Sequence, residues 1–339
     1  MNNCELPLEA KIVRTKENEL LDVASSGGFI SSFCEWFIRD YKGIIFAVEF
    51  DDNFSVVHKE IRNLEEVRSI AGSKYVQSRL GDSFKRIKMY LIDGVNILFI
   101  GTPCQVAGLK SFLQKDYENL LTIDFVCHGV ASDFYWKTYK KYMMDRFGSN
   151  IVDVSFRDKS IGYRSTRMRI KFENGKIYQA SPRVDYMLNA FYSNFVSRPA
   201  CSECRFKSYK HISDITCFDS WKAEEICKEC SNDNKGYTNV ILNSRKGVDF
   251  LIKATDYFEC HAVEIERIIP KGGGMILNSA VPNRKRDEFN AYYKNNGIEN
   301  SAKMYLGIKT RDYLIEHSKH ILFKMGVLSM TSKLKRRMK

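Results

Sequence analysis

Two apolar runs in this chain each end in an unusual cysteine context. Val95-Asn96-Ile97-Leu98-Phe99-Ile100 leads into Gly101-Thr102-Pro103-Cys104-Gln105, and Leu121-Thr122-Ile123-Asp124-Phe125-Val126 leads into Cys127-His128-Gly129. Each run reads as a buried strand, and a strand delivers its last residue to one edge of its sheet. A later loop carries Cys201-Ser202-Glu203-Cys204. Two thiols at strand ends and a Cys-x2-Cys can therefore meet at one point. Four thiolates at one point are the ligand set of an iron–sulfur cluster or a structural zinc.

The surrounding pattern predicts an α/β fold: a parallel or mixed sheet with flanking helices, a cysteine-rich loop and a second, smaller α/β unit. Residues 1–20 are polar and read as an arm, so the first division is 1–23. An α/β region follows over 24–150, a C-terminal α/β region with the cysteine-rich loop over 151–300, and a basic amphipathic tail over 301–339. Within this frame, Phe29, Ile30, Phe33, Trp36 and Phe37 mark a helix from Ser25 to Arg39. Gly43–Phe50 is a strand. Asn63 with Glu66 three residues on is a capping-box signature. Further helices are expected over Ser83–Leu91, Gln105–Leu113, Phe134–Arg146, Tyr186–Phe195 and Lys246–Phe258. Strands are expected over Ile151–Phe156, Tyr237–Leu242 and His261–Ile265, and Asn174-Gly175 predicts a hairpin between Arg167–Phe172 and Lys176–Ala180.

Composition narrows the setting. The chain has 339 residues, 44% of them hydrophobic, enough for a sizeable core. No apolar run reaches the roughly 18–20 residues of a membrane span. Met1-Asn2-Asn3-Cys4-Glu5 has neither the charged nor the apolar part of a signal peptide, so a cytoplasmic location is expected. Ten cysteines in such a chain point to metal or redox chemistry rather than disulfides. The net charge of +12 suits acidic partners or anionic surfaces. Lys333, Lys335, Arg336, Arg337 and Lys339 follow the apolar stretch Ile321–Leu328, which reads either as a membrane-surface helix or as a solvated terminus. No stretch matches a nucleic-acid-binding module, so nucleic acid is not expected as a partner.

The individual motifs carry alternatives. Ser25-Ser26-Gly27-Gly28 before an apolar helix offers a phosphate cradle or a plain helix start. In Ala71–Ser78, Lys74 can neutralise phosphate and Tyr75 can cover a flat ring, or the segment is an ordinary turn. Pro103 suits an early helix position, and the helix start favours Cys104 as a thiolate ligand or nucleophile. His128 and Tyr75 are candidate proton donors. Cys217, Cys227 and Cys230 complicate the ligand set. Cys201-x2-Cys204 with Cys227-x2-Cys230 has the two-pair spacing of a zinc ribbon, and spacing does not choose between the two quartets.

Taken in order, Ala24–Gly28, Gly72–Ser78, Val95–Leu109, Thr122–Val130, Phe156–Lys159, Arg198–Phe206 and Ser213–Trp221 resemble the coenzyme F420 (deazaflavin) hydrogenase/dehydrogenase beta-subunit family. The resemblance implies an iron–sulfur flavoprotein that passes electrons between a [4Fe–4S] cluster and a second acceptor through FAD. Carried over by position, it implies Cys104, Cys127, Cys201 and Cys204 as cluster ligands. It implies Ser26, Gly27, Gly28, Ser73, Lys74, Tyr75, Gln77, Gly101, Thr102, Pro103 and Gln105 as flavin contacts, with Asp214 and Thr216 beside them. An acidic ferredoxin or flavodoxin is the implied electron donor, and bacterial surface-polysaccharide synthesis the implied setting. Three departures stand out. Many relatives carry a ferredoxin-like N-terminal domain, whereas residues 1–24 here hold only Cys4. The usual Asp-Ile-Thr-Leu-Gly-Asp-Phe-Trp-Gly run is here Asp214–Lys222 without either glycine. The Cys227/Cys230 pair lies outside the family pattern. The rival reading is a non-catalytic zinc protein with a basic nucleic-acid- or lipid-binding surface.

Overall fold

A computed structural model describes residues 7–270 and 274–324. Among these residues the strands are β1 (Glu9–Thr15), β2 (Ile44–Phe50), β3 (Val56–Ile61), β4 (Ile97–Ile100), β5 (Leu120–Phe125), β6 (Ile151–Asp158), β7 (Arg167–Phe172), β8 (Ile177–Ala180), β9 (Ile215–Asp219), β10 (Thr238–Leu242) and β11 (Phe258–Val263). They form an eight-stranded sheet in the order β11-β1-β10-β9-β5-β4-β2-β3 and a three-stranded sheet β6-β7-β8. Strands β2, β4, β5 and β9 are mutually parallel, and antiparallel strands flank them on both sides. The expected mixed α/β architecture is what the chain adopts.

Period-2 alternation explains the layers. In β2 and β4, Ile45, Ala47, Leu98 and Ile100 face the helix Phe29–Arg39 with Phe29, Phe33, Trp36 and Phe37. Their neighbours Ile44, Phe46, Ile97 and Phe99 face the other way, onto Ile87, Leu91, Val106 and Leu109 of the helices Ser83–Ile92 and Pro103–Leu113. Both faces of the parallel core are thus covered, as parallel sheets require.

Two strands correct the sequence reading. The supposed N-terminal arm contains β1, which pairs with β10 and β11 inside the large sheet, with Ile12 and Val13 fully buried. Its charged residues, Glu9, Lys11 and Arg14, mask a strand pattern that only partner strands reveal. The cysteine-rich loop contains β9, which joins β5 to β10.

Two compact units interleave along the sequence. The first comprises residues 1–133, 162–164 and 198–281, and the second 134–161, 165–197 and 282–339. In the second unit the Asn174-Gly175 turn closes the β7–β8 hairpin, with Gly175 at φ 80°. Phe147 stacks on Phe172 at 4.4 Å, and Trp136 packs on Phe156. Residues 301–316, read from sequence as tail, are held in this unit. Ser301 and Ala302 are buried, Asp312 pairs with Arg183, and Glu316 accepts from Ser181 N at 2.9 Å and Ser181 Oγ at 2.6 Å. Of the membrane-surface segment, 321–324 end the helix Thr310–Lys324, and 325–339, with all of the basic cluster, lie outside the described residues. No described helix is long and apolar enough to cross a membrane.

Asp185 anchors the second unit and yields a stability test. Its Oδ1 accepts from Leu188 N at 2.7 Å, capping the helix Tyr186–Tyr192, and its Oδ2 accepts from Tyr139 and Tyr178 hydroxyls at 2.5 and 3.0 Å. Burial pushes the carboxyl up to about 6 despite these donors. Asp185→Ala removes the cap and strands two buried hydroxyls, an expected loss of about 3 kcal/mol. The unfolded carboxyl ionises near 3.8 and the folded one holds its proton to about pH 6, so stability falls as pH rises across that window. Urea midpoints should therefore decline from pH 4 to 6 more steeply in the wild type than in Asp185→Asn. Parallel midpoints would show that this carboxyl does not titrate abnormally.

Candidate functional site

The site lies in the first unit, over the edge of the large sheet where β4 and β5 end. In open α/β sheets ligands bind outside the carboxyl ends of the strands. Strand β1 runs parallel to β9, because both are antiparallel to β10, so β1 ends at this edge as well.

Sequence-remote segments are tied together here by hydrogen bonds. Ser73 donates from its backbone N and its Oγ to Ser25 Oγ at 2.7 and 2.9 Å, joining the Ser25–Gly28 turn to Ser73–Ser78. Gln77 N donates to Ala131 O and Ala131 N to Tyr75 O, pairing that segment with the stretch after Cys127. Gln105 Nε2 donates to Ser78 Oγ at 2.8 Å, and Gln105 Oε1 accepts from Thr102 N at 3.0 Å. Ser78 Oγ lies 3.0 Å from His58 Nδ1, and His58 Nε2 lies 3.2 Å from Ile100 O. Burial pushes the His58 imidazole down to about 4, so it is neutral at pH 7. Its Nε2–H then donates to Ile100 O while Nδ1 accepts from Ser78. This chain of bonds fixes the Gly101–Gln105 turn to the end of β4. Gly101 and Pro103 are buried in the turn, and Cys104 is exposed on it. His58 and Ser78 were not singled out from sequence, because a lone His in a strand and a Ser after a turn carry no spacing signal.

The family-pattern thiols lie within electrostatic reach of Cys127 or Lys207, although no three of them bring their sulfurs within 4.8 Å of one another. The Cys127 thiol is pushed up to about 12, mainly by burial, with Cys201 and Cys104 close enough to raise it further and Lys207 close enough to oppose them. Burial lowers the Lys207 amine, and the thiols of Cys127, Cys204 and Cys201 act against that. Lys207 Nζ donates to Cys127 O and Met275 O, both at 2.6 Å. Arg198 N donates to Val130 O, which brings the Cys201–Cys204 segment to the loop after β5. Lys207 is the residue that sequence reasoning missed. It stands three positions past Cys204, one beyond the last residue of the matched stretch. His128 is half-buried beside Cys127, and Tyr75 is half-buried in its segment.

Several of the expected contact residues also have structural partners. A Cβ on Gly27 would meet Val13 O at 2.6 Å, Thr238 N at 2.7 Å and Tyr237 Cα at 2.8 Å, and Gly27 N donates to Thr238 Oγ1. Ser26 Oγ also pairs with Thr238 Oγ1 at 2.9 Å. Gly28 sits at φ 77°, a left-handed position that glycine fills without strain. The Lys74 amine donates to the carbonyls of Ile70, Ala71 and Gly72 at the end of the helix Leu64–Ile70 and lies over the Phe50 ring. Burial pushes it down to about 8, with Glu49 opposing. Asp214 accepts from Thr122 N, Thr122 Oγ and Ser244 Oγ, so it ties β5 to the start of the helix Arg245–Lys253. Thr216 donates to Asp124 at 2.6 Å, and Asp124 also bonds His211 Nδ1 at 2.9 Å. Cys217 is buried in the core.

The zinc-ribbon quartet does not assemble as spacing allowed. Cys227 and Cys230 gather with His261, their ligand atoms within 4.8 Å of one another. Cys201 and Cys204 act on Lys207, and Cys201 also acts on Cys127.

The parallel core flanked by antiparallel strands defines a mixed α/β protein. Residues 94–267, more than half of the chain, match the profile for the C terminus of the coenzyme F420 hydrogenase/dehydrogenase beta subunit, and the chain belongs to that family. A chain in the structure titled as a xenon derivatization of the F420-reducing [NiFe] hydrogenase complex from Methanosarcina barkeri has a similar fold. It superposes with a TM-score of 0.51 at 14% identity, covering 87% of this chain and 95% of that one. Comparison with curated protein sequences gives no match.

Proposed function

We propose that this chain is an iron–sulfur flavoprotein oxidoreductase that takes electrons from a separate acidic ferredoxin or flavodoxin and delivers them to a substrate. What supports the proposal is that Cys104 and Cys201 act on the charge of Cys127, and Cys127, Cys201 and Cys204 on that of Lys207. These residues fit a [4Fe–4S] cluster. Such a cluster would take one cysteine thiolate at each of its four irons, and a neighbouring cation would suit its negative charge. The bonds of Ser25, Ser73 and Gln105 draw together the Ser26–Gly28, Ser73–Gln77 and Gly101–Gln105 segments that the family resemblance assigns to the flavin. When bound, the two groups supply conversion between one-electron delivery and two-electron reduction of a substrate.

The chain's own contributions follow from the geometry. The Gln105–Ser78–His58 chain holds the Cys104 turn rigid. Lys207 fixes the Cys127 carbonyl and places positive charge among the thiols. His128 and Tyr75 are the side chains assigned to proton delivery. The net charge of +12 favours encounter with an acidic carrier. A setting in surface-polysaccharide synthesis and peripheral contact with anionic membrane belong to the same proposal, the first by family analogy and the second from the basic tail.

Anaerobic purification tests the reading. The expected result is a brown protein with about four iron and four sulfide per chain and one FAD. A colourless protein that takes up neither iron nor flavin on reconstitution would overturn it.

A further inference from the structure

We propose that Cys227, Cys230 and His261 form a second metal site, a structural zinc centre independent of the cofactors proposed above. Three observations carry it. The two thiols and a ring nitrogen of His261 lie within 4.8 Å of one another, the distance range that one tetrahedral ion spans. These groups come from two separate parts of the fold. Cys227 and Cys230 follow the short helix Ala223–Ile226, while His261 sits in the edge strand β11, opposite Ile12 of β1. The histidine is also prepared as a ligand. Its Nε2 lies 2.9 Å from Glu259 Oε1, and Glu259 is itself held by the Tyr237 hydroxyl at 3.1 Å. A carboxylate accepting from one ring nitrogen leaves the other nitrogen's lone pair for an ion, the usual outer-sphere arrangement of a metal-bound histidine.

The chemistry of the set selects zinc. Two thiolates and an imidazole are a borderline-soft donor set that suits tetrahedral zinc and does not suit calcium or magnesium. Cys227 Sγ donates to a Glu229 carboxylate oxygen at 3.0 Å, and water completes the tetrahedron as the fourth ligand. Both cysteines are buried in an apolar cluster with Ala10, Ile12, Tyr237 and Ile241. Burial in such a cluster argues for a structural ion rather than a catalytic one. The ion would staple the connection between β9 and β10 onto the outermost strand of the sheet. A redox-active Cys-x2-Cys needs no third ligand, and the prepared His261 is what distinguishes the two.

The test uses the full chain, cluster-loaded where possible, incubated with zinc chloride alone and desalted. The expected result is about one zinc per chain, with a first shell of sulfur at about 2.3 Å and nitrogen at about 2.0 Å by zinc-edge X-ray absorption. Cys230→Ser and His261→Ala should lose most of this zinc while keeping the iron of the wild type. Glu259→Gln should weaken zinc binding by about 10–100-fold. Wild-type protein with no retained zinc, a shell of oxygen and nitrogen only, or Cys227 and Cys230 isolated as a disulfide would each overturn the proposal. The absorption measurement needs only wild-type protein, so misfolding of a variant does not blunt it. Failure of the iron–sulfur reading would appear as missing iron with zinc still bound.

Discussion

Replacing Cys127 by Ser is expected to remove nearly all cluster iron. Burial holds the proton of this thiol on to about pH 12. A metal must displace that proton, so reconstitution of apo-protein with iron and sulfide should be faster at pH 8.5 than at pH 6.5. Serine keeps the shape but offers a far weaker anion to iron. Cys104→Ser, Cys201→Ser and Cys204→Ser are expected to behave alike, and Cys217→Ser to leave iron unchanged because Cys217 is packed in the core. Lys207→Met should retain iron but shift the cluster to a more negative potential, since a positive charge beside the thiols is removed. Iron and sulfide counts on each variant decide the matter. Full iron in Cys127→Ser would place the cluster elsewhere or nowhere.

Gly27→Val is expected to damage the fold itself. The position looked like a phosphate cradle from sequence, yet every atom that a Cβ would strike belongs to the backbone of β1 or of the residues opening β10. Backbone in the middle of a sheet cannot turn aside as a side chain can. Overpacking costs about 1–3 kcal/mol where side chains can give, and this case lies at or above that range. A loss of about 3 kcal/mol lowers the melting temperature of a unit this size by roughly 10 °C. Thermal unfolding followed in the cofactor-free protein separates the two roles. A lowered melting temperature without cofactor marks a packing role. An unchanged one, with flavin binding alone lost, would return Gly27 to the cradle.

The family pattern and several local elements were legible in the sequence because their signals are local. Asn63 and Glu66 lie three residues apart and form the expected capping box, with Glu66 N donating to Asn63 Oδ1 at 3.2 Å. Asn174-Gly175 requires only its own backbone to turn. The runs before Cys104 and Cys127 alternate between two covered faces, so their strand character and the placement of both thiols at one edge follow from period and burial.

Tertiary structure alone decided what each signal meets. β1 carries three charged residues in seven, and it becomes an inner strand only because β10 and β11 supply hydrogen bonds on both sides. The two units interleave because β9, β10 and β11 return to the first sheet after the chain has built part of the second unit. Gly27 faces strand backbone and Lys74 turns to helix carbonyls, contacts that no spacing rule encodes. Most of all, Cys227 and Cys230 keep the spacing of a ribbon with Cys201 and Cys204 yet gather with His261, about thirty residues on, because β11 lies against β1. Periodicity and capping are properties of neighbouring residues. The company that a thiol keeps is set by strand order, and strand order is fixed by contacts between residues far apart in the chain.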